Sequence, residues 1–356
     1  MRIHIALIGF GNVARRFVRL LDESRDALDA LDIEPVIVGI ATRRHGAVFD
    51  AAGLDARTRS RLADLAAEGH AVGPAFGAPT AAEIIERLGG IRSEARVMVE
   101  TTVLNVQSGE PAVSHVRAAF AAGAHVITAN KGPVACCYRA LADEAAAQGL
   151  AFLHEGAVMD GIPIFNLVRE TMPAATIHGF RGVINSTTNH MLCALERGDD
   201  YDAALRRMQA DGVAEADPSL DVDGWDAAAK VAALANVWLD ARITPADVDR
   251  EGLTPACGER ARAALAAGRR LKLIGSAHRE VASGAPGGRR GITARVSLEE
   301  LPGHDPLAIL DDQANALEID STPLGRIVIT QRDGGLEKTA YALITDLVAL
   351  RRKLGR

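Results

Sequence analysis

Residues 3–21 read IHIALIGFGNVARRFVRLL, and this stretch decides the fold. Ile3 to Ile8 have the apolar content of a buried strand, and Val13, Phe17, Leu20 and Leu21 then recur along one face of a helix. Between them lies GxGxxA. Gly9 permits a tight bend, Gly11 lets backbone approach a pyrophosphate, and Ala14 keeps the helix close to the sheet. Phosphates would then meet the helix start at Asn12 and Val13. A GxGxxA alone is a weak signal. Placed directly after a first strand, opening a helix and followed by a second strand near Val36 to Ile40, it is a dinucleotide-binding signature.

The expected fold is therefore α/β, with a Rossmann-type dinucleotide-binding domain and a second α/β domain for substrate. The first is expected over residues 1–134, joined by a C-terminal helix at about 335–356, and the second over 135–334. After the second strand an NAD-type site would place an acid on the ribose 2′-hydroxyl, but this chain has Ala41, Thr42, Arg43 and Arg44. Arginine there suits a 2′-phosphate, so NADP is preferred over NAD, against the plain alternative of solvated loop arginines. Further strands at Arg96 to Glu100 and His125 to Thr128 end in Thr101 and Thr102 and in Asn130 and Lys131. Strand C-termini of a parallel sheet face the ligand crevice.

With 356 residues, 48% of them hydrophobic and 24% charged, the chain can bury a large core. Its formal net charge of −6, and the lack of any basic run beyond Arg351–Lys353, argue against a nucleic-acid partner. Apolar stretches break well before the ~20 residues of a membrane span. The expectation is a cytoplasmic enzyme. Four cysteines, two of them the adjacent Cys136 and Cys137, form neither a disulfide framework nor CxxC zinc spacing.

Residues 151–164, AFLHEGAVMDGIPI, read as a strand and a glycine turn whose carbonyls could ligate a hard cation beside Glu155, or as a plain connection. Residues 180–192, FRGVINSTTNHML, run from strand to helix, and Ser186, Thr187, Thr188 and Asn189 suit either a helix cap or a ligand grip. Helical patterns cover Tyr201 to Ala210 and Trp225 to Leu239, and strands 271–277 and 292–298 flank the SGAPGGRR loop. A last helix, Glu337 to Leu350, presents Tyr341, Ile344, Leu347 and Val348 on one face and is expected to pack on the first domain.

Most of the chemistry lies in residues 215–230, EADPSLDVDGWDAAAK, where Asp226 and Lys230 fall at i and i+4 of a helix starting near Gly224. Glu215, Asp217, Asp221 and Asp223 precede that face. Carboxylates suit a substrate ammonium group, and Lys230 suits a developing alkoxide as proton donor. The bland alternative is a surface ion pair worth roughly 0.2–0.5 kcal/mol. A calcium loop is excluded by Lys230 at the twelfth position, where such loops need a bidentate Glu.

With the glycine turn, ITANKGP, GVINSTTN and EADPSLDVDGWDAAAK in this order, nearly the whole chain resembles homoserine dehydrogenase. The resemblance implies NAD(P)-dependent interconversion of L-homoserine and L-aspartate 4-semialdehyde by a homodimer, with the second α/β domain serving both substrate binding and dimerisation. It implies Lys230 and Lys131 as catalytic lysines, Glu215, Asp226, Asp221 and Thr187 as substrate-binding, and Gly212, Gly335 and Thr102 beside the cofactor. It also implies a monovalent cation, Na⁺ or K⁺, at Glu155, Val158, Asp160 and Ile162. The chain departs from the family pattern at Ser186, His190 and Asp160 and in RDGGLEKTA, with Lys338 where proline is common. No regulatory ACT domain is expected, nor feedback by threonine through one. Two rivals are a dehydrogenase of the same fold acting on another small hydroxy amino acid or hydroxy acid, motivated by Ser186, His190 and Asp160, and a non-catalytic NADP-binding sensor or regulatory subunit. The presence of both Lys131 and Lys230 argues against the sensor.

Overall fold

The computed structural model describes residues 1–73, 80–211, 217–280 and 291–355. Gly212, Glu215 and the SGAPGGRR loop lie outside the described residues. The chain divides into two compact units, residues 1–171 with 335–356, and residues 172–334.

The first unit runs β1 (Arg2–Ile8), α1 (Asn12–Glu23), α2 (Arg25–Ala30), β2 (Glu34–Ala41), β3 (Ala47–Phe49), α3 (Ala56–Ala67), α4 (Ala81–Gly89), β4 (Ala95–Glu100), α5 (Ala112–Ala121), β5 (His125–Thr128), α6 (Lys131–Ala147), β6 (Phe152–Leu153) and α7 (Ile164–Thr171). Its six strands lie in the order β3-β2-β1-β4-β5-β6, parallel except for the antiparallel β3. Strand β1 is buried on both faces because successive side chains alternate sides. Ile3, Ile5 and Leu7 enter one core with Phe17 and Leu21 of α1, and Ala6 and Ile8 enter the other with Ile84 of α4 and Phe120 of α5. The boundary expected after residue 134 falls inside α6. Strand β6 pairs with β5 as the sixth strand, and this keeps the chain in the first unit as far as Thr171.

The second unit runs β7 (Thr176–Val183), α8 (Ser186–Glu196), α9 (Tyr201–Ala210), α10 (Ser219–Val222), α11 (Trp225–Leu239), β8 (Asp249–Arg250), α12 (Cys257–Ala266), β9 (Arg269–Arg279), β10 (Ile292–Pro302), β11 (Asn315–Thr322) and β12 (Gly325–Gln331). Its sheet, β12-β11-β7-β9-β10-β8, is antiparallel apart from the β10–β8 pair. Helix α11 packs on this sheet and is buried along almost its whole length, from Ala227 to Leu239, with only Lys230 and Val237 among those residues partly exposed. Its alanines allow that, since small side chains let the backbone lie close to the strands.

The last helix, α13 (Leu336–Leu354), belongs to the first unit, where it packs against α1. Its buried face is Ala340, Leu343, Ile344, Leu347 and Leu350, a helical repeat of three and four. Tyr341, expected on that face, stands one position round the helix and is 52% exposed. The long aliphatic residues set the face, and the ring stays outside.

Candidate active site

The first unit reverses its strand order between β1 and β4, and the turn that leaves β1 opens there. Gly9 has φ 92°, its N–H donates to the Ala41 carbonyl at the end of β2 (2.9 Å), and an added Cβ would stand 2.6 Å from the backbone of Thr101. Only glycine fits so tight a crossing. Gly11 is the N-cap of α1 with no side-chain cap, and a Cβ there would meet nothing within 4 Å. The helix N-terminus at Asn12 and Val13 is therefore open to a diphosphate, and the residues present fit a dinucleotide.

Beside this turn stands Glu100, fully buried at the end of β4. Its Oε1 accepts from the Thr102 N–H at 3.1 Å and from the Thr102 hydroxyl, and its Oε2 lies 3.4 Å from the Thr128 hydroxyl. Asn130 donates to the Thr102 carbonyl (3.0 Å) and accepts from the Gly132 N–H (2.9 Å), which caps α6 and places Lys131 as its first residue. Thr102 and Lys131 are thus held together through Glu100 and Asn130. Sequence reasoning placed Asn130 at a strand end without a role, and it missed Glu100. A polar residue ending an otherwise apolar strand was the signal available.

Arg43 and Arg44 are exposed in the short turn between β2 and β3, which Thr42 closes through its hydroxyl on the Gly46 carbonyl (2.9 Å). No acid lies between Ala41 and Gly46.

Glu155 is buried, and its carboxylate accepts from the Phe165 N–H (2.8 Å), the Asn166 N–H (2.7 Å) and the Asn166 side chain, at the start of α7. Its own N–H donates to Asp346 of α13 (2.8 Å). Burial pushes both carboxyls above the usual range, Asp346 to about 8. Val158 and Ile162 are buried on the turn that follows, and the Ile162 carbonyl accepts from the Ile164 N–H. Asp160, at φ 47°, accepts from the Gly335 N–H (3.0 Å) and the Thr339 hydroxyl (3.0 Å). Two departures from the family pattern are therefore one feature, an aspartate in the turn that caps the last helix.

In the second unit the i, i+4 pair of α11 closes. Lys230 Nζ lies 3.2 Å from Asp226 Oδ2 and donates to the Ile184 carbonyl at 2.6 Å, with both side chains largely buried. Asn185 donates from Nδ2 to Asp221 (2.7 Å) and Asp226 (2.9 Å), and Thr187 also bonds Asp221. Burial first, and then the Asp226 carboxylate, push the Asp221 carboxyl above the usual range. Four of the expected substrate and catalytic residues, Thr187, Asp221, Asp226 and Lys230, therefore form one cluster. A surface ion pair would not be buried in this way.

The junction before α8 also differs in detail from expectation. Its N-cap is Asn185, which accepts from the Thr188 N–H (2.8 Å), while the Ser186 hydroxyl is taken by Asn315 (2.8 Å). His190 turns toward Asp312, with 3.7 Å between Nδ1 and Oδ1. Both departures therefore meet the segment leading into β11.

A mostly parallel sheet ordered 3-2-1-4-5-6 with a glycine crossing at its switch point defines a dinucleotide-binding protein. Comparison with known proteins narrows this. Residues 9–155 match the family model described as homoserine dehydrogenase, NAD binding domain, and residues 163–348 the one described as homoserine dehydrogenase. The NAD(+)-dependent homoserine dehydrogenase of Pseudomonas canavaninivorans is 35% identical over 99% of this chain and 97% of its own length. A protein named homoserine dehydrogenase, from Methanocaldococcus jannaschii, is 31% identical over 97% of each chain. A crystal structure from Thiobacillus denitrificans superposes with a TM-score of 0.79 at 28% identity, over 99% of this chain and 74% of the other. The chain belongs to the homoserine dehydrogenase family, NAD(P)-dependent oxidoreductases acting on a CH–OH group of a small amino acid. Among the described residues no helix is long and apolar enough to cross a membrane.

Proposed function

We propose that Lys230 is the proton-transfer residue in the interconversion of L-homoserine and L-aspartate 4-semialdehyde. The observation that carries this is the lysine's position on a buried helix, its ammonium between a carbonyl and the Asp226 carboxylate. In the reductive direction the nicotinamide cofactor supplies the hydride when bound. Lys230 gives a proton to the alkoxide oxygen, and in the oxidative direction the amine takes that proton back. Asp221, Asp226, Thr187 and Glu215 hold the amino-acid end of the substrate, and Lys131 assists at the nicotinamide side. Gly9, Gly11, Asn12, Val13, Thr102, Gly212 and Gly335 line the cofactor's path. Lys230→Ala tests the assignment: turnover of homoserine should fall by roughly 10²–10⁴-fold while NADPH binding persists, and near-normal kcat would sink it.

The finer cofactor reading is NADP, supported by Arg43 and Arg44 at the end of β2 and by the lack of an acid there. One observation favours NAD, the name of the 35% identical Pseudomonas relative. The ratio of kcat/KM for the two cofactors decides between them. A monovalent cation held by Glu155 and the backbone carbonyls of Val158, Asp160 and Ile162 is supported by the resemblance. Rates in potassium, sodium and a large organic cation test it. The same resemblance supports a homodimer, and so does β12, an edge strand with no buried residue. We place the enzyme in the cytoplasm.

A further inference from the structure

We infer that Asn185 is a positioning residue that holds the Asp226–Lys230 pair in its working arrangement and keeps Asp221 beside it. The inference rests on the role proposed for Lys230. Asn185 is 5% exposed, and both ends of its amide are committed. The oxygen caps α8 by accepting from the Thr188 N–H at 2.8 Å, which fixes which way the amide faces. The nitrogen therefore points at the acids, and its two hydrogens serve two carboxylates, Asp221 Oδ1 at 2.7 Å and Asp226 Oδ2 at 2.9 Å. That same Asp226 oxygen is the one beside Lys230 Nζ, and Nζ donates to the carbonyl of Ile184, the preceding residue. Two consecutive residues thus grip both members of the pair.

Capping does not explain an amide here. Aspartate caps a helix N-terminus as well as asparagine does. Only the contact with Asp221 and Asp226 requires a donor, and a carboxylate in its place would stand against two others. Among the described residues, the charged groups facing Lys230 are Asp226 on its own helix and Asp221 from α10. The residue after β7 presents the Ile184 carbonyl, β9 brings Gly275 against the neighbouring Val231, and β10 brings Val296 against Gly224.

Asn185→Asp keeps the cap and the shape but exchanges the donor for a third carboxylate. Added negative charge favours the ammonium form of Lys230, and oxidation of homoserine needs the amine. The pH profile of kcat for oxidation should therefore move alkaline by about one unit or more, with roughly tenfold lower kcat at fixed pH per unit. KM for the cofactor should stay as in the wild type. Asn185→Ser, which keeps a hydroxyl cap and adds no charge, should lower kcat at least about fivefold with no alkaline shift of comparable size; it also serves if the aspartate variant fails to fold. Wild-type kcat and an unmoved profile in the folded variants would overturn the inference. Running Lys230→Ala beside them separates the two claims. If that variant turns over normally, the role of Lys230 fails; if it is inactive while the Asn185 variants behave as wild type, only the inference fails.

Discussion

The glycine crossing of the first unit and the acid–lysine cluster of the second recognise by opposite means. At Gly9 and Gly11 the working groups are backbone N–H groups, and the side chains contribute by being absent. At Lys230 the working groups are side chains from the N-cap of α8 and from α8, α10 and α11, tied by hydrogen bonds to one another and to the Ile184 carbonyl. In the roles proposed above, the backbone site reads a constant feature, the diphosphate, and the side-chain site moves protons. Damage to the first should therefore appear in cofactor binding, and damage to the second in turnover.

The largest effect that sharpens this contrast is Lys230→Ala, for which kcat should collapse while NADPH titrations stay as in the wild type. A variant that lost cofactor binding as well would break it. Gly9→Ala is the mirror experiment. A methyl group there would sit 2.6 Å from Thr101 backbone at φ 92°, and neither strand can move without disturbing the sheet. Strain of this kind costs about 1–3 kcal/mol, so cofactor KM should rise by roughly tenfold or more, with kcat at saturation less affected. A kcat defect at unchanged cofactor KM would show that the crossing serves the chemistry instead.

The unequal legibility of the two sites in the sequence follows from the same contrast. Strand β1, the glycine turn and α1 are contiguous, so one 19-residue window contains the apolar periods and the glycines that join them. The Asp226–Lys230 pair was legible because i and i+4 is a local relation. Asn185 was not, because its partners lie 36 and 41 residues away and nothing in INSTTN marks which end of the amide meets an acid. Glu100 escaped for a similar reason: it reads as the polar end of a strand, yet its carboxylate organises Thr102 and Thr128. Asp160 stood out as a departure, but its purpose became visible only with α13 folded back onto it. Faces of helices are legible to within one residue, which is how Tyr341 came to be expected inside.

Glu100→Gln tests whether the first unit is as backbone-driven as the comparison claims. The change keeps the volume and puts an NH₂ where Thr102 or Thr128 now donates, leaving buried donors unsatisfied at about 1–3 kcal/mol. The expected result is a lower melting temperature and a several-fold higher cofactor KM. If kcat alone fell, Glu100 would be acting on the reaction, as proposed for Lys131 nearby, and the backbone reading would hold only for the glycine crossing.

The smallest effect is expected at Arg43. It is exposed at the end of β2, and an exposed charge contact is worth at most about 1 kcal/mol, or roughly fivefold in an affinity ratio. Arg43→Ala should therefore lower the NADP-over-NAD ratio of kcat/KM by no more than about fivefold, and Arg43→Ala with Arg44→Ala by more than either alone. Salt should imitate the substitution, since screening acts on exposed charges first. A ratio that ignored both mutation and salt would return these arginines to ordinary solvated loop residues. The first unit would then distinguish its cofactor, as it binds the diphosphate, by backbone shape alone.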